Sequence, residues 1–264
     1  MARASGIVAL LTDYGLQDAY VGILKGALLS ANPAARLVDL THEISPQDIR
    51  EAGRVLEAAA PYFPDGTVFV AVVDPGVGTD RDILAVETDR QFFLAPDNGL
   101  LGFLSRGATL RCTVRVRESR YFRDPVSRTF HGRDIFAPVA ARIAGGLDLA
   151  RLGPRAPHPP RILDDSPRVD GSRVRGRVAS VDRFGNLITD IPSTLLRTTK
   201  NIRIRAGRCV LRSLSRTYAD VRKGALAALV GSTGHLEISV NQGNASRVTR
   251  VRKGALVHVD WPSP

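Results

Sequence analysis

Residues 67–73, Thr-Val-Phe-Val-Ala-Val-Val, form an almost wholly apolar run that stops abruptly at Asp74-Pro75-Gly76-Val77-Gly78-Thr79-Asp80-Arg81. A strand with no polar face must be covered on both sides, as strands inside a parallel α/β sheet are. The segment after this strand cannot be helical. Pro75 forces Asp74 into extended backbone, and the two glycines let the chain pass close to whatever binds there. Asp74 therefore stands at the carboxyl end of a buried strand, where open α/β sheets collect ligands. Arg81 supplies a fixed positive charge seven residues on. By itself the loop also reads as a tight turn with a surface ion pair.

The first 152 residues repeat a strand-helix rhythm. Strands are predicted at 7–11, 37–40, 67–73, 83–87 and 92–94. A helical period runs over 17–31 through Tyr20, Ile23, Leu24, Ala27 and Leu28, and Asn32-Pro33 ends it. A second helix is expected over 48–62, a short one over 98–104 and a longer one over 132–144. This rhythm predicts a mostly parallel sheet with helices on both faces. Residues 153–170 are rich in proline, including Gly153-Pro154 and Pro159-Pro160, and read as a linker. From 171 to 264 short strands alternate with turns (174–182, 202–206, 225–230, 236–240, 256–259), which predicts a small β-barrel. The hexapeptide Val-Arg-Lys-Gly-Ala-Leu occurs at 221–226 and again at 251–256. Each copy reads as a turn feeding a strand, since one six-residue match does not make a domain repeat.

Charge is unevenly placed. Residues 1–165 hold 19 Lys and Arg against 20 Asp and Glu, whereas residues 166–264 hold 18 against 6. Such an excess suits a polyanion. Most of these cations are arginines alternating along strands (Arg173, Arg175, Arg177; Arg203, Arg205), with no aromatic residues interleaved for base stacking. A solvated basic face is the favoured reading, and RNA binding the alternative. Cys112 and Cys209 are the only cysteines and the five histidines lie far apart, so neither a disulfide framework nor a metal site is expected. No apolar run approaches the roughly 20 residues of a membrane span, and 7–11 is too short for a signal-peptide core. A soluble, cytoplasmic protein is expected.

Several polar stretches carry the chemistry. Asp13, directly after the first strand, can take both hydroxyls of a ribose on its two oxygens. Asp18, five residues on, fits two readings equally: a ligand contact, or a first-turn residue favouring the helix dipole. Thr129-Phe130-His131-Gly132-Arg133-Asp134 sets a histidine at a helix start beside a glycine. Asp182-Arg183-Phe184-Gly185-Asn186 combines a carboxylate, a ring that could stack on a purine and an amide that could read its edge. The same five residues also suit a hairpin bend at Gly185-Asn186. Gly231-Ser232-Thr233-Gly234 is a further polar loop.

These stretches, with Ala95-Pro96-Asp97-Asn98-Gly99 and Leu236-Glu237-Ile238, occur in the order seen in S-adenosyl-L-methionine hydroxide adenosyltransferases. The chain resembles that family, and its halide-using cousins the fluorinase and chlorinase, from about Ile7 to Val259. The resemblance implies an N-terminal α/β domain, a C-terminal β-barrel, and a homotrimer with active sites at subunit interfaces. It also implies hydrolysis of S-adenosyl-L-methionine to adenosine and L-methionine without a metal or other cofactor. By the same resemblance Asp74, Arg81 and His131 form the catalytic set. Asp13 holds the ribose, and Thr129 and Phe130 bind substrate. Asp182 and Ser232 face the methionine end with Asp18 beside it, while Phe184 and Asn186 face the adenine. Asp74 replaces a tyrosine of the fluorinase and Gly132 its halide-contacting serine, which favours hydroxide over halide. Gln47 and Thr233 stand where the fluorinase has a covering tryptophan and a carboxylate-binding arginine. The expected chemistry has Asp74 and His131 both accepting hydrogen bonds from the attacking water, with Arg81 orienting Asp74. A halide adenosyltransferase and an RNA-binding protein are the alternatives.

Overall fold

The structure, a computed structural model, describes residues 3–163, 166–196 and 202–261. The chain divides into two compact units, residues 1–163 and 164–264. In the first, β1 (Ile7–Thr12), α1 (Tyr20–Ala31), β2 (Arg36–Thr41), α2 (Ile49–Ala59), β3 (Val68–Val72), β4 (Ile83–Thr88), β5 (Phe92–Pro96), α3 (Leu104–Gly107), β6 (Leu110–Arg115) and α4 (Ala137–Ala144) succeed one another in order. The sheet order is β2-β1-β3-β5-β4-β6. The pairs β1–β2, β1–β3 and β3–β5 are parallel, while β4 runs antiparallel to both β5 and β6.

Two apolar layers explain the sandwich. Successive residues of a strand face opposite ways. Val8, Leu10, Val68 and Val70 therefore pack with Leu24 and Leu28 of α1 and with Val139, Ala140 and Ile143 of α4. Ala9, Leu11, Phe69 and Ala71 pack with Ala52 and Leu56 of α2 on the other side. Pro33 follows the end of α1, and Asp48 caps the start of α2, its side chain accepting from the Glu51 N–H at 2.8 Å. Among the described residues no helix is long and apolar enough to cross a membrane.

Several elements differ from expectation. The first helix begins at Tyr20 rather than at residue 17, so Asp18 lies outside it. Residues 98–103 are turns, and helix is confined to Leu104–Gly107. Gly99 takes φ 100°, and Gly102 packs so tightly on the backbone of Arg161 and Ile162 that a Cβ there would lie 2.7 Å from the Arg161 carbonyl oxygen. The helix expected over 132–144 opens with a π turn, Gly132–Phe136, before α4. Pro138 has no N–H for the bond that α-helical winding would require there. Strand β6 was hidden by its arginines, Arg111 and Arg115. Along β6 runs the proline-rich stretch: Arg115 N donates to Pro154 O at 2.9 Å and Ala156 N to Thr113 O at 2.8 Å.

The second unit is antiparallel. It comprises β7 (Arg168–Asp170), β8 (Arg173–Val181), β9 (Leu187–Pro192), β10 (Arg203–Ala206), β11 (Cys209–Leu211), β12 (Leu226–Val230), β13 (His235–Val240), α5 (Ala245–Thr249) and β14 (Leu256–Asp260). The order β11-β10-β14-β8-β9-β13-β12, with β7 on β8, brings the end strands β11 and β12 back into contact as a nearly closed barrel. Its interior holds Val174, Leu187, Ile204, Ile238, Val257 and Trp261. The alternating arginines lie on the outside, where Arg173 and Arg205 both pair with Asp260, at 2.5 and 3.2 Å.

Candidate active site

Strands β1 and β3 are neighbours, with Thr12 in register with Val72. Asp13 and Asp74 thus leave the sheet side by side at its carboxyl edge. A cavity of about 260 Å³ opens there, lined by Asp13, Tyr14, Gln47, Val72, Asp74, Pro75, Val77, Thr129, His131 and Gly132.

Asp74 and Arg81 form a buried pair, their side chains 4% and 12% exposed. Arg81 Nε donates to Asp74 Oδ1 at 3.0 Å and to Oδ2 at 2.8 Å, and Nη2 donates to Oδ2 at 2.5 Å. The same Nη2 lies 2.8 Å from His131 Nδ1. A guanidinium only donates, so Nδ1 must be the acceptor and the neutral ring carries its proton on Nε2. Burial, and then the Arg81 charge, hold the His131 pKa below its ordinary value, against the opposing pull of Asp74 and Asp134. The histidine therefore presents an N–H at its free nitrogen, a donor rather than the expected acceptor of a hydrogen bond from water.

Two devices bring residues fifty positions apart together. Gly78, at φ 79°, lets its loop lie directly on the Arg128 carbonyl, where no Cβ would fit. Asp134, fully buried, accepts from Ser127 N at 2.9 Å and from Arg133 Nε at 2.6 Å, fixing the segment that carries Thr129 and His131. The burial cost that would raise its pKa is outweighed by Arg133 and by the Ser127 N–H, so the carboxyl stays charged.

The Asp13 loop is held from below. His42, 3% exposed, lies with Nδ1 2.8 Å from Thr12 Oγ1 and Nε2 3.1 Å from Asp39 Oδ1. Thr12 Oγ1 accepts from Tyr14 N at 3.2 Å, and Asp13 Oδ2 accepts from Gln47 N at 2.8 Å. Gln47 reaches that position with φ 64°, a left-handed backbone uncommon outside glycine. The sequence reading gives Thr12 and Tyr14 no role beyond their place beside Asp13, and does not single out His42. The signal was their place, directly at or after the ends of the parallel strands β1 and β2.

Of the residues expected at the site, Asp13, Asp74, Thr129 and His131 line the cavity and Arg81 links two of them. Phe130 does not line it but packs edge-on against Tyr14, ring centroids 5.8 Å apart. Asp18 is exposed, is absent from the lining and does not cap α1. Asp182, Phe184, Asn186 and Ser232 belong to the second unit. There Asp182 accepts from Asn186 N and Nδ2, both at 2.8 Å, across the bend at Gly185. Phe184 is 75% exposed and Ser232 sits in an exposed turn. Among the described residues no group of three or more His, Cys, Asp or Glu could hold a metal ion.

Residues 8–153 match the SAM hydroxide adenosyltransferase N-terminal domain, and residues 176–258 the C-terminal domain of the same family. The chain belongs to that family. It is 40% identical to the (R)-S-adenosyl-L-methionine hydrolase of Thermus thermophilus, covering 96% of this chain and 98% of the relative. It is 37% identical to the enzyme of that name from Salinispora tropica, over 96% and 97% of the two chains. A Nocardia brasiliensis fluorinase is more distant, at 26% over 96% of each. A crystal structure of an uncharacterized conserved protein from Thermotoga maritima superposes with a TM-score of 0.89 at 39% identity, over 96% of this chain and all of the other.

Proposed function

We propose that this protein hydrolyses S-adenosyl-L-methionine to adenosine and L-methionine, water attacking C5′ in line with the C5′–S bond. The observation that carries the reading is the buried Asp74–Arg81–His131 arrangement at the sheet's carboxyl edge. The names of the relatives support it and point to the (R)-sulfonium epimer as the form to test first.

A sulfonium is a good leaving group, so the enzyme has to hold the two reacting atoms in line and manage one proton. As the C5′–O bond forms, the C5′–S pair returns to sulfur and leaves neutral methionine. The proton leaves the attacking oxygen. Since His131 Nε2 already bears hydrogen, Asp74 is the group with lone pairs to receive it, and Arg81 keeps both carboxylate oxygens in place. The Nε2–H of His131 donates to the attacking oxygen and holds it in line with the C5′–S bond while Asp74 takes its proton. Asp13, with Oδ2 fixed by the Gln47 amide, takes the ribose diol. Asp182, Phe184, Asn186 and Ser232 complete the adenine and methionine ends from the second unit of a neighbouring subunit in a homotrimer, with Asp18 and Phe130 at the margin. No metal or cofactor takes part.

The test is incubation of each sulfonium epimer in H₂¹⁸O with chelator. One ¹⁸O in the 5′-hydroxyl of adenosine, with unlabelled methionine, is expected. No adenosine, or label only in methionine, would overturn the reading, and a 5′-halo-adenosine formed in chloride or fluoride would select the halide alternative.

A further inference from the structure

Tyr14 is a cavity residue without a role so far. Its ring is wedged edge-on to Phe130 and tilted against Tyr20, ring centroids 5.8 and 6.1 Å away. That packing directs the hydroxyl at the backbone of Gly132. A Cβ on Gly132 would collide with the Tyr14 oxygen and lie 3.3 Å from its Cζ and 3.4 Å from Phe130 Cε2. Gly132 does not need its freedom for backbone reasons, since no positive φ is found there. The missing side chain makes room for a phenol oxygen in the cavity that Asp74 and His131 also line.

The valences of the attacking water say what that oxygen can do. Water offers two hydrogens and two lone pairs. One lone pair attacks carbon, and the other accepts from His131 Nε2. One hydrogen goes to Asp74. The second hydrogen needs an acceptor, and His131 is not one. We infer that the Tyr14 hydroxyl accepts this second hydrogen, so that Asp74, His131 and Tyr14 fix the orientation of the nucleophile and select water over a halide ion. A halide has no hydrogen to offer and gains nothing from the acceptor. Burial first, and the charges of Asp13 and Asp74 next, raise the Tyr14 pKa, so the hydroxyl keeps its own proton. The inference rests on the hydrolysis reading.

Wild-type protein is first assayed for adenosine, and its absence refutes the hydrolysis reading rather than the role of Tyr14. Given turnover, Tyr14→Phe keeps the ring contacts and removes the oxygen. A fall in kcat of about tenfold to a hundredfold is expected, the range for one hydrogen bond to a reacting group, with KM within about twofold. The solvent deuterium isotope effect on kcat should change as well, which a packing role would not produce. Gly132→Ala reaches the same oxygen from the other side by displacing it, and should give a similar loss. The double variant should then be no worse than the poorer single one. A Tyr14→Phe enzyme with wild-type kcat and isotope effect would overturn the inference, and so would losses in the two variants that multiply.

Discussion

Arg81→Met tests the centre of the site, because one side chain there serves two partners. Arg81 makes three N–H···O contacts to Asp74 at 3.0, 2.8 and 2.5 Å and one to His131 at 2.8 Å. Methionine fills similar space and donates nothing. The Asp74 side chain is 4% exposed, so its carboxylate would remain buried with no cation beside it. Breaking a buried pair from one side costs about 3–5 kcal/mol, a large fraction of the ~5–15 kcal/mol that holds a domain together. For a unit of this size that corresponds to a melting point lower by roughly 10 °C. Turnover should fall by at least about 10²-fold, since Asp74 and His131 lose their orientation together. The control is Asp74→Asn in the Arg81→Met background, which replaces a stranded charge by a neutral amide. It should recover most of the stability and none of the activity, read by thermal melting and by chromatography of adenosine. A single variant melting within about 2 °C of wild type, or a double variant no more stable than the single, would refute the reasoning.

Protonating His131 would set a new Nδ1–H against the Arg81 N–H, and its pKa is depressed. Below the ordinary histidine value the unfolded chain binds this proton more readily than the folded one, so the contribution to stability is complete above that value. It is lost as pH falls through the folded pKa. The acidic limb of kcat should therefore lie below pH ~6.5, the reference value for histidine, and a midpoint above that would contradict the assignment. Asp13→Asn keeps an acceptor for the Gln47 N–H but gives up one ribose contact, so KM should rise by about tenfold or more with little change in melting. An unchanged KM would remove Asp13 from the ribose. Gly78→Ala puts a Cβ into the Arg128 carbonyl at a left-handed φ, and should cost about 1–3 kcal/mol and most of the activity. Wild-type kinetics in that variant would show that the two loops need not touch.

The sheet was legible because β1 and β3 are apolar on both faces, and the sequence periods differ cleanly between strands and helices. Strand β6 was not, since an edge strand with alternating arginines carries little hydrophobic signal, and β9 was absorbed into the polar motif before it. The turns at 98–103 look helical because Leu100, Leu101 and Leu104 are spaced for a helix face. The tight approach of Gly102 to the neighbouring backbone decides otherwise, and no sequence period reports it. At the candidate site, motif order pointed to Asp13, Asp74, Arg81 and His131, which the fold brings together. It could not supply the tautomer of His131, which depends on which atom of Arg81 meets which ring nitrogen. Tyr14 and His42 were invisible for a similar reason: each meets a partner on a distant segment, Gly132 and Thr12.

The contact between Gly78 and the Arg128 carbonyl bears on how this enzyme comes into being. The two loops it joins are fifty residues apart in the chain. In the folded chain they meet where the loop after β3 lies against the segment before α4. A fragment lacking either segment would not display the pair of loops. The time course of adenosine release during refolding would report when that contact forms.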